Sequence, residues 1–225
     1  MSSSPLTILG IPGSLRTGSH SLAALQAMRP LLPRNVQLKL FDPQRLPLSR
    51  HHDRPACPVR SENEQVAELK RQIRAADAVV LAVPEYLYGV TTVMNDIMDC
   101  AAHPAQDNAL VGKPVAVIGV SSSRRSAAHA QEHLRLKLHA LGMRPVDQPE
   151  VLVRTSYTTR LFGGPQPTMD ETARALVCEV LAELVSAMPS DGATRIAKMV
   201  LTSGSLHFGR RDGGAQLHQA QQRSA

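Results

Sequence analysis

Ser14, Arg16, Ser19 and Ser21 lie in one run, GIPGSLRTGSHS at 10–21, and their chemistry suits a phosphate. Hydroxyls donate to its oxygens, and the Arg16 guanidinium offers a fixed fork of donors that fits a dianion. Gly10, Gly13 and Gly18 allow tight turns and close backbone approach. An apolar stretch (6–11) precedes the run and a helical pattern (22–32) follows it. Strand, glycine–serine loop and helix start is the arrangement by which α/β proteins turn backbone N–H groups toward a phosphate. A second run, Pro84, Glu85, Tyr86, Leu87, Tyr88 and Gly89, leaves an apolar stretch at 78–83 and enters a helical pattern at 91–102. Tyr86 and Tyr88 are two of only six aromatic residues in the chain, three Tyr and three Phe. Such a pair makes an edge for a flat heteroaromatic ring, with backbone N–H groups beside it for a polar rim.

The elements that must position these runs alternate in type. Apolar stretches at 6–11, 78–83 and 115–120 read as buried strands, and 36–41 alternates like a strand. A fifth strand at 146–153 is interrupted by polar residues and Pro149. Helices are expected at 22–32, 61–74, 91–102, 126–141 and 169–188. Ser61 with Glu64 reads as a capping box, Thr91 as an N-cap, and Gly142 as a helix stop. On 91–102, Val93, Met94, Ile97, Met98 and Ala101 share one face. Asn95 and Asp99 then fall on the polar face, which is read as facing solvent or another subunit. On 126–141, Ala127, Ala130, Leu134, Leu138 and Leu141 form the core stripe. Alternating strands and helices give an α/β class, a doubly wound parallel sheet. In such a sheet the ligand crevice lies at the carboxyl ends of the strands, where both runs fall. Residues 1–188 are expected to form the domain. From 189 onward Gly, Ser, Gln and Arg replace periodic apolar residues, so 189–225 is expected to be a weakly ordered basic tail.

With 225 residues, 43% of them hydrophobic, the chain can bury a sizeable core. No apolar run approaches the roughly 18 residues that span a bilayer. The start, MSSSPL, has no basic and apolar regions of a signal peptide. Cys57, Cys100 and Cys178 are odd in number and scattered, which suits reduced thiols. A cytoplasmic protein away from membranes is expected. The net charge is +6. There is no basic helix or Lys/Arg run, and with 3% aromatics there are few stacking platforms, so nucleic acid is not the expected partner. Phosphorylated small ligands suit the charge equally well.

The two runs resemble those of the NADPH-dependent FMN reductases, a flavodoxin-like family that includes quinone and azo-dye reductases. The family's phosphate loop has the form G-S-L-R-x-x-S-x-N, and Gly13, Ser14, Leu15, Arg16 and Ser19 match it. Its ring loop opens P-E-Y and passes through Pro-Gly into a helix. Pro84, Glu85, Tyr86, Asn95, Ile97 and Asp99 match there. Gly112-Lys113-Pro114-Val115, Ala130-Gln131 and His133-Leu134-Arg135 carry a third similarity. The resemblance implies a flavodoxin-like five-stranded sheet of order 2-1-3-4-5, bound FMN, and NADPH as the reductant. It also implies a small-molecule electron acceptor and a homodimer or homotetramer, with helices 91–102 and 126–141 at the interface. The cofactor contacts it implies are Ser14, Arg16, Ser19 and Ser21 for the phosphate. For the ring they are Pro84, Glu85, Tyr86, Leu87, Tyr88, Gly89, Ser121 and Arg124. No side chain is assigned as a catalytic acid or base, because the electron chemistry belongs to the cofactor. No metal is expected.

The chain departs from the family at four places. Ser21 stands for an Asn, Leu87 for the Asn after P-E-Y, and Thr91-Thr92 for Pro-Gly. The family's glycine-rich third loop is SSSRRS at 121–126, which would set Arg124 or Arg125 beside the reduced flavin or the NADPH phosphates. Leu87 and that basic loop motivate an alternative: a flavodoxin-like module with weak or no flavin binding that acts through interaction. A remote alternative is a zinc metallopeptidase, since His129, Glu132 and His133 fit H-x-x-E-H. Its third ligand would be a later residue such as Glu171 or Glu179. His51, His52, Asp53 and Cys57 form one more cluster of metal-ligand types, in a proline-rich loop.

Overall fold

The computed structural model describes residues 5–16, 18–46, 48, 63–86, 89–121, 124–147, 151–154, 169 and 171–188; Glu85, Tyr86, Ser121, 124–127 and Arg154 are described by their backbone. The strands are β1 (Leu6–Pro12), β2 (Val36–Leu40), β3 (Ala78–Tyr86), β4 (Gly89–Val90), β5 (Pro114–Ser121), β6 (Arg144–Pro145) and β7 (Leu152–Arg154). The helices are α1 (His20–Met28), α2 (Glu64–Ala75), α3 (Thr92–Ala102), α4 (Arg124–Ala140) and α5 (Glu171–Ser186). The parallel strands stand in the order β2-β1-β3-β5-β6. This is the expected 2-1-3-4-5 order, with the fifth strand in two pieces. β6 pairs with the start of β5 (Pro114↔Arg144) and β7 with its end (Gly119↔Leu152).

The central strands are buried on both faces, as their continuous apolar runs require. Leu9 and Ile11 of β1, Val79, Leu81 and Val83 of β3, and Val115 and Val117 of β5 point to one face. There they meet Val66, Leu69 and Ile73 of α2, Met94, Ile97 and Met98 of α3, and Leu134 and Leu138 of α4. The alternate residues Ile8, Val80, Ala82, Ile118 and Val120 face α1 and α5, against Leu25, Met28, Val177, Val180 and Leu184. Burying each such large side chain stabilises the fold by about 1.5–3 kcal/mol.

Three helix ends differ from expectation for identifiable reasons. The cap of α2 is Asn63, whose Oδ1 accepts from Gln65 N–H at 3.0 Å and Val66 N–H at 3.3 Å. Asn caps as well as Ser, and Asn63 sits directly before the first helical residue, so the helix starts there rather than at Ser61. α1 ends at Met28 and tightens into a 3₁₀ turn at Arg29–Leu31, because Pro30 has no N–H to continue the ladder. α4 begins at Arg124, so Arg124 and Arg125 belong to the first turn of a helix and not to a loop. Thr91 caps α3, and Gly142 (φ +83°) follows α4, as read from the sequence.

The amino edge of the sheet is tied by charged groups. Asp77 Oδ2 accepts from Thr7 N–H at 2.7 Å. Lys70, only 4% exposed, donates to the His103 carbonyl and pairs with Asp107 at 2.7 Å. Arg74 pairs with the same carboxylate. Hydrogen bonds from Lys70 and then Arg74 hold the Asp107 carboxyl below its ordinary pKa. Lys113 donates to the carbonyls of Arg74 and Ala76, the end of α2. Burial lowers the Lys113 pKa, against the opposing charge of Asp77. Among the described residues no helix is long and apolar enough to cross a membrane. The stretches 189–225 and 51–57 lie outside the described residues, as do Leu87 and Tyr88.

Candidate functional site

β1, β3 and β5 are parallel neighbours, so the segments at their carboxyl ends meet along one edge of the sheet. That edge brings together the run after β1, the run at the end of β3, and the start of α4. It is the switch point of a 2-1-3-4-5 sheet, where successive crossovers leave in opposite directions.

The first run closes from Pro12 into α1 as a compact loop. Ser14 Oγ accepts from the Arg16 N–H at 3.3 Å, and Ser19 Oγ caps α1 by accepting from Leu22 N–H at 3.4 Å. Gly18 takes φ +69°, which an L side chain rarely adopts. Gln44, from the turn after β2, donates to the Leu15 carbonyl at 3.2 Å. Ser14 is half-buried, Arg16 exposed, and Ser19 and Ser21 buried. The Arg16 side chain has no ion pair or hydrogen bond among the described residues. The Ser21 hydroxyl is 1% exposed and has no hydrogen-bond partner among them either. A buried hydroxyl left unpaired costs about 1–3 kcal/mol, which an acceptor oxygen entering the loop would relieve.

The helix dipoles at this edge point the same way. The first turns of α1, α3 and α4 carry no acidic residue, whereas α2 and α5 begin with Glu64 and Glu171. The three uncompensated N-termini favour an anion, and residues 124 and 125, which open α4, are both arginine.

The second run differs from a plain strand-to-helix loop. Pro84, Glu85 and Tyr86 continue β3, and Glu85 and Tyr86 pair antiparallel with Val90 and Gly89 of β4. Tyr and Val favour extended backbone, and the run folds back on itself before α3. Pro84 and Gly89 are half-buried. Ser121 ends β5 and Arg124 opens α4 across the edge.

Gly13 joins the two runs. Its N–H donates to the Ala82 carbonyl at 2.9 Å. A Cβ there would stand 2.8 Å from Pro84 Cδ and 3.1 Å from Met94 Cε. Thr91 Oγ1 donates to the Gly13 carbonyl at 2.9 Å and accepts from Met94 N–H at 3.3 Å. The sequence identifies Thr91 as a cap; its bond to Gly13 and the Gln44–Leu15 bond carry no sequence signal. Asn95 and Asp99, on the partly exposed polar face of α3, also have a partner within the chain. Lys137 of α4 reaches both, at 3.1 Å and 3.0 Å, so they clamp two helices of this chain. Their one-turn spacing on the polar face of α3 suits a single long cation.

On α4, His129, Glu132 and His133 are exposed and line a shallow surface depression with Leu136. Among the described residues no three His, Cys, Asp or Glu side chains are grouped to hold a metal, so H-x-x-E-H has no third ligand there.

A family model described as NADPH-dependent FMN reductase matches residues 6–158. An NAD(P)H-dependent FMN reductase of Pseudomonas aeruginosa is 36% identical over 182 residues, spanning 81% of this chain and 95% of the relative. A 2-hydroxy-1,4-benzoquinone reductase of a Burkholderia species is 32% identical over 151 residues, 66% of this chain and 79% of the relative. Among solved structures, a flavoenzyme NAD(P)H:(acceptor) oxidoreductase from Paracoccus denitrificans superposes with a TM-score of 0.65 at 25% identity. It covers 85% of this chain and 98% of its own.

Proposed function

The chain belongs to the NADPH-dependent FMN reductase family, an oxidoreductase family, and from that premise we propose that it binds FMN at the carboxyl edge of the sheet and uses NADPH to reduce a quinone, flavin, azo or similar acceptor. One observation carries this reading: a cation and a buried hydroxyl without partners among the described residues, Arg16 and Ser21, stand at the N-terminus of a helix with no acidic first-turn residue. These groups fit a phosphate monoester. Arg16 would grip two of its oxygens, Ser14 and Ser21 would donate hydroxyls, and Ser19 keeps α1 capped so that its N–H groups stay turned toward the anion. Pro84, Glu85, Tyr86, Leu87, Tyr88 and Gly89 would border the ring on one side, with Ser121 and Arg124 on the other.

When bound, FMN supplies the electron transfer. The chain supplies position and potential. The positive ends of α1, α3 and α4, with Arg124 and Arg125, draw in the phosphates of a dinucleotide. The two named relatives support an acceptor of the flavin or quinone class. The same reading takes residues 1–188 as the FMN-binding domain and the protein as a cytoplasmic homodimer or homotetramer.

The test is oxidation of NADPH and NADH by the full-length protein with FMN and, in turn, a quinone, excess free flavin or an azo dye in the absence of oxygen. FMN-dependent oxidation, faster with NADPH, is expected. No FMN-dependent oxidation with quinone, flavin or azo acceptors would overturn the enzyme reading and leave the interaction module.

A further inference from the structure

The hydrogen bond between Thr91 and Gly13 joins residues 78 positions apart. Gly13 opens the phosphate run. Thr91 is the last residue before α3 and follows the ring-side run. The backbone of Gly13 is fixed to both flanks of that second run: its N–H donates to the carbonyl of Ala82 before it, and its carbonyl accepts from the hydroxyl of Thr91 after it. The same hydroxyl accepts from Met94 N–H, so one side chain closes α3 and holds the phosphate loop. The missing Cβ of Gly13 lets Pro84 and Met94 come into contact with the loop. A proline at position 91, which the family pattern carries, has no hydroxyl and could make neither bond.

We infer that Thr91 is a positioning residue: its hydroxyl locks the phosphate loop against the ring-side run, so that the two ends of the cofactor are gripped by one rigid unit. This rests on the FMN reading above. The hydroxyl donates one proton and accepts one, the full capacity its geometry uses here, and valine at the same volume does neither. The lock leaves a mark that a simple helix cap does not. FMN and riboflavin share the ring, and only FMN has the phosphate. Breaking the lock misplaces the phosphate loop, so FMN loses more affinity than riboflavin. Loss of a cap alone weakens α3 and affects both ligands alike.

The experiment is a pair of fluorescence-quenching titrations, FMN and riboflavin, on full-length wild type, Thr91→Val, Thr91→Ala and Thr91→Ser. Thr91→Val should weaken FMN about tenfold and riboflavin about twofold or less, narrowing the preference for phosphate roughly fivefold. Thr91→Ser keeps the hydroxyl and should lie within about twofold of wild type for both ligands. A thermal melt checks folding; if Thr91→Val does not fold, Thr91→Ala decides by the same ratio. Equal weakening of both ligands, or unchanged FMN affinity, overturns the lock and leaves the FMN reading standing. Failure of the wild type to bind FMN overturns both.

Discussion

The two edges of this one sheet treat their polar groups in opposite ways. At the amino edge Lys70, Arg74, Asp77, Asp107 and Lys113 are each committed to a neighbour, joining α2 to the segments before β3 and β5. At the carboxyl edge Arg16 and the Ser21 hydroxyl have no partner among the described residues. The commitment at the amino edge is structural: an ammonium as buried as Lys70 must be paired. At the carboxyl edge the buried Ser21 hydroxyl destabilises the chain slightly, the exposed Arg16 is neutral to stability, and both groups are open to a ligand. Stability and binding are therefore separable by edge, and substitutions on either side can break or sharpen that division.

The largest effect is expected where the division is narrowest. Gly13→Ala places a methyl 2.8 Å from Pro84 and 3.1 Å from Met94. It should destabilise the fold by about 1–3 kcal/mol and weaken FMN on the order of a hundredfold, read by melt and by titration. Wild-type affinity in Gly13→Ala would mean that the close approach does not shape the site. Lys70→Ala should cost about 2–3 kcal/mol in a denaturant series with FMN affinity of the folded protein unchanged. A drop in affinity there would show the edges to be coupled. Arg16→Ala is the converse: FMN weaker by about 2 kcal/mol, roughly thirtyfold, with the denaturant midpoint unmoved.

Ser21→Ala should weaken FMN about fivefold and leave stability equal or slightly raised, since it removes a buried hydroxyl without a partner. Asp107→Asn should have the smallest effect, at most about 1 kcal/mol at neutral pH, because the carboxylate is half-exposed and Lys70 keeps the His103 carbonyl and an amide oxygen as acceptors. Its pH dependence has a definite sign. The folded carboxyl titrates below its ordinary value, so its contribution is full above the unfolded pKa of about 4. It is lost as pH falls through the folded value. The gap between wild type and Asp107→Asn should therefore close in acid, with FMN binding the same in both at neutral pH.

The two edges also differ in how much of each could be read from the chain. The strand order and the two loop runs follow from apolar spacing and turn residues, which are local. Asn63 was not distinguishable from Ser61 because both are good caps and lie two residues apart. The continuation of β3 was hidden by Pro84, which usually ends a strand; here Pro84 sits in register with Val120 near the strand's end, where a missing N–H is tolerated. The contacts that complete both edges are long-range. Lys70 meets His103 and Asp107, Lys137 meets Asn95 and Asp99, and Thr91 meets Gly13 across 78 positions. A side chain's type says that it needs a partner; only the packed sheet decides which one.

Titration of the full-length wild type with FMN and riboflavin, followed by flavin fluorescence, tests most directly whether the carboxyl edge is a phosphate-and-ring site. Saturable one-to-one quenching by the protein is expected for FMN, with riboflavin bound at least about tenfold more weakly for want of the phosphate. No quenching of FMN, or equal affinity for the two flavins, would contradict it.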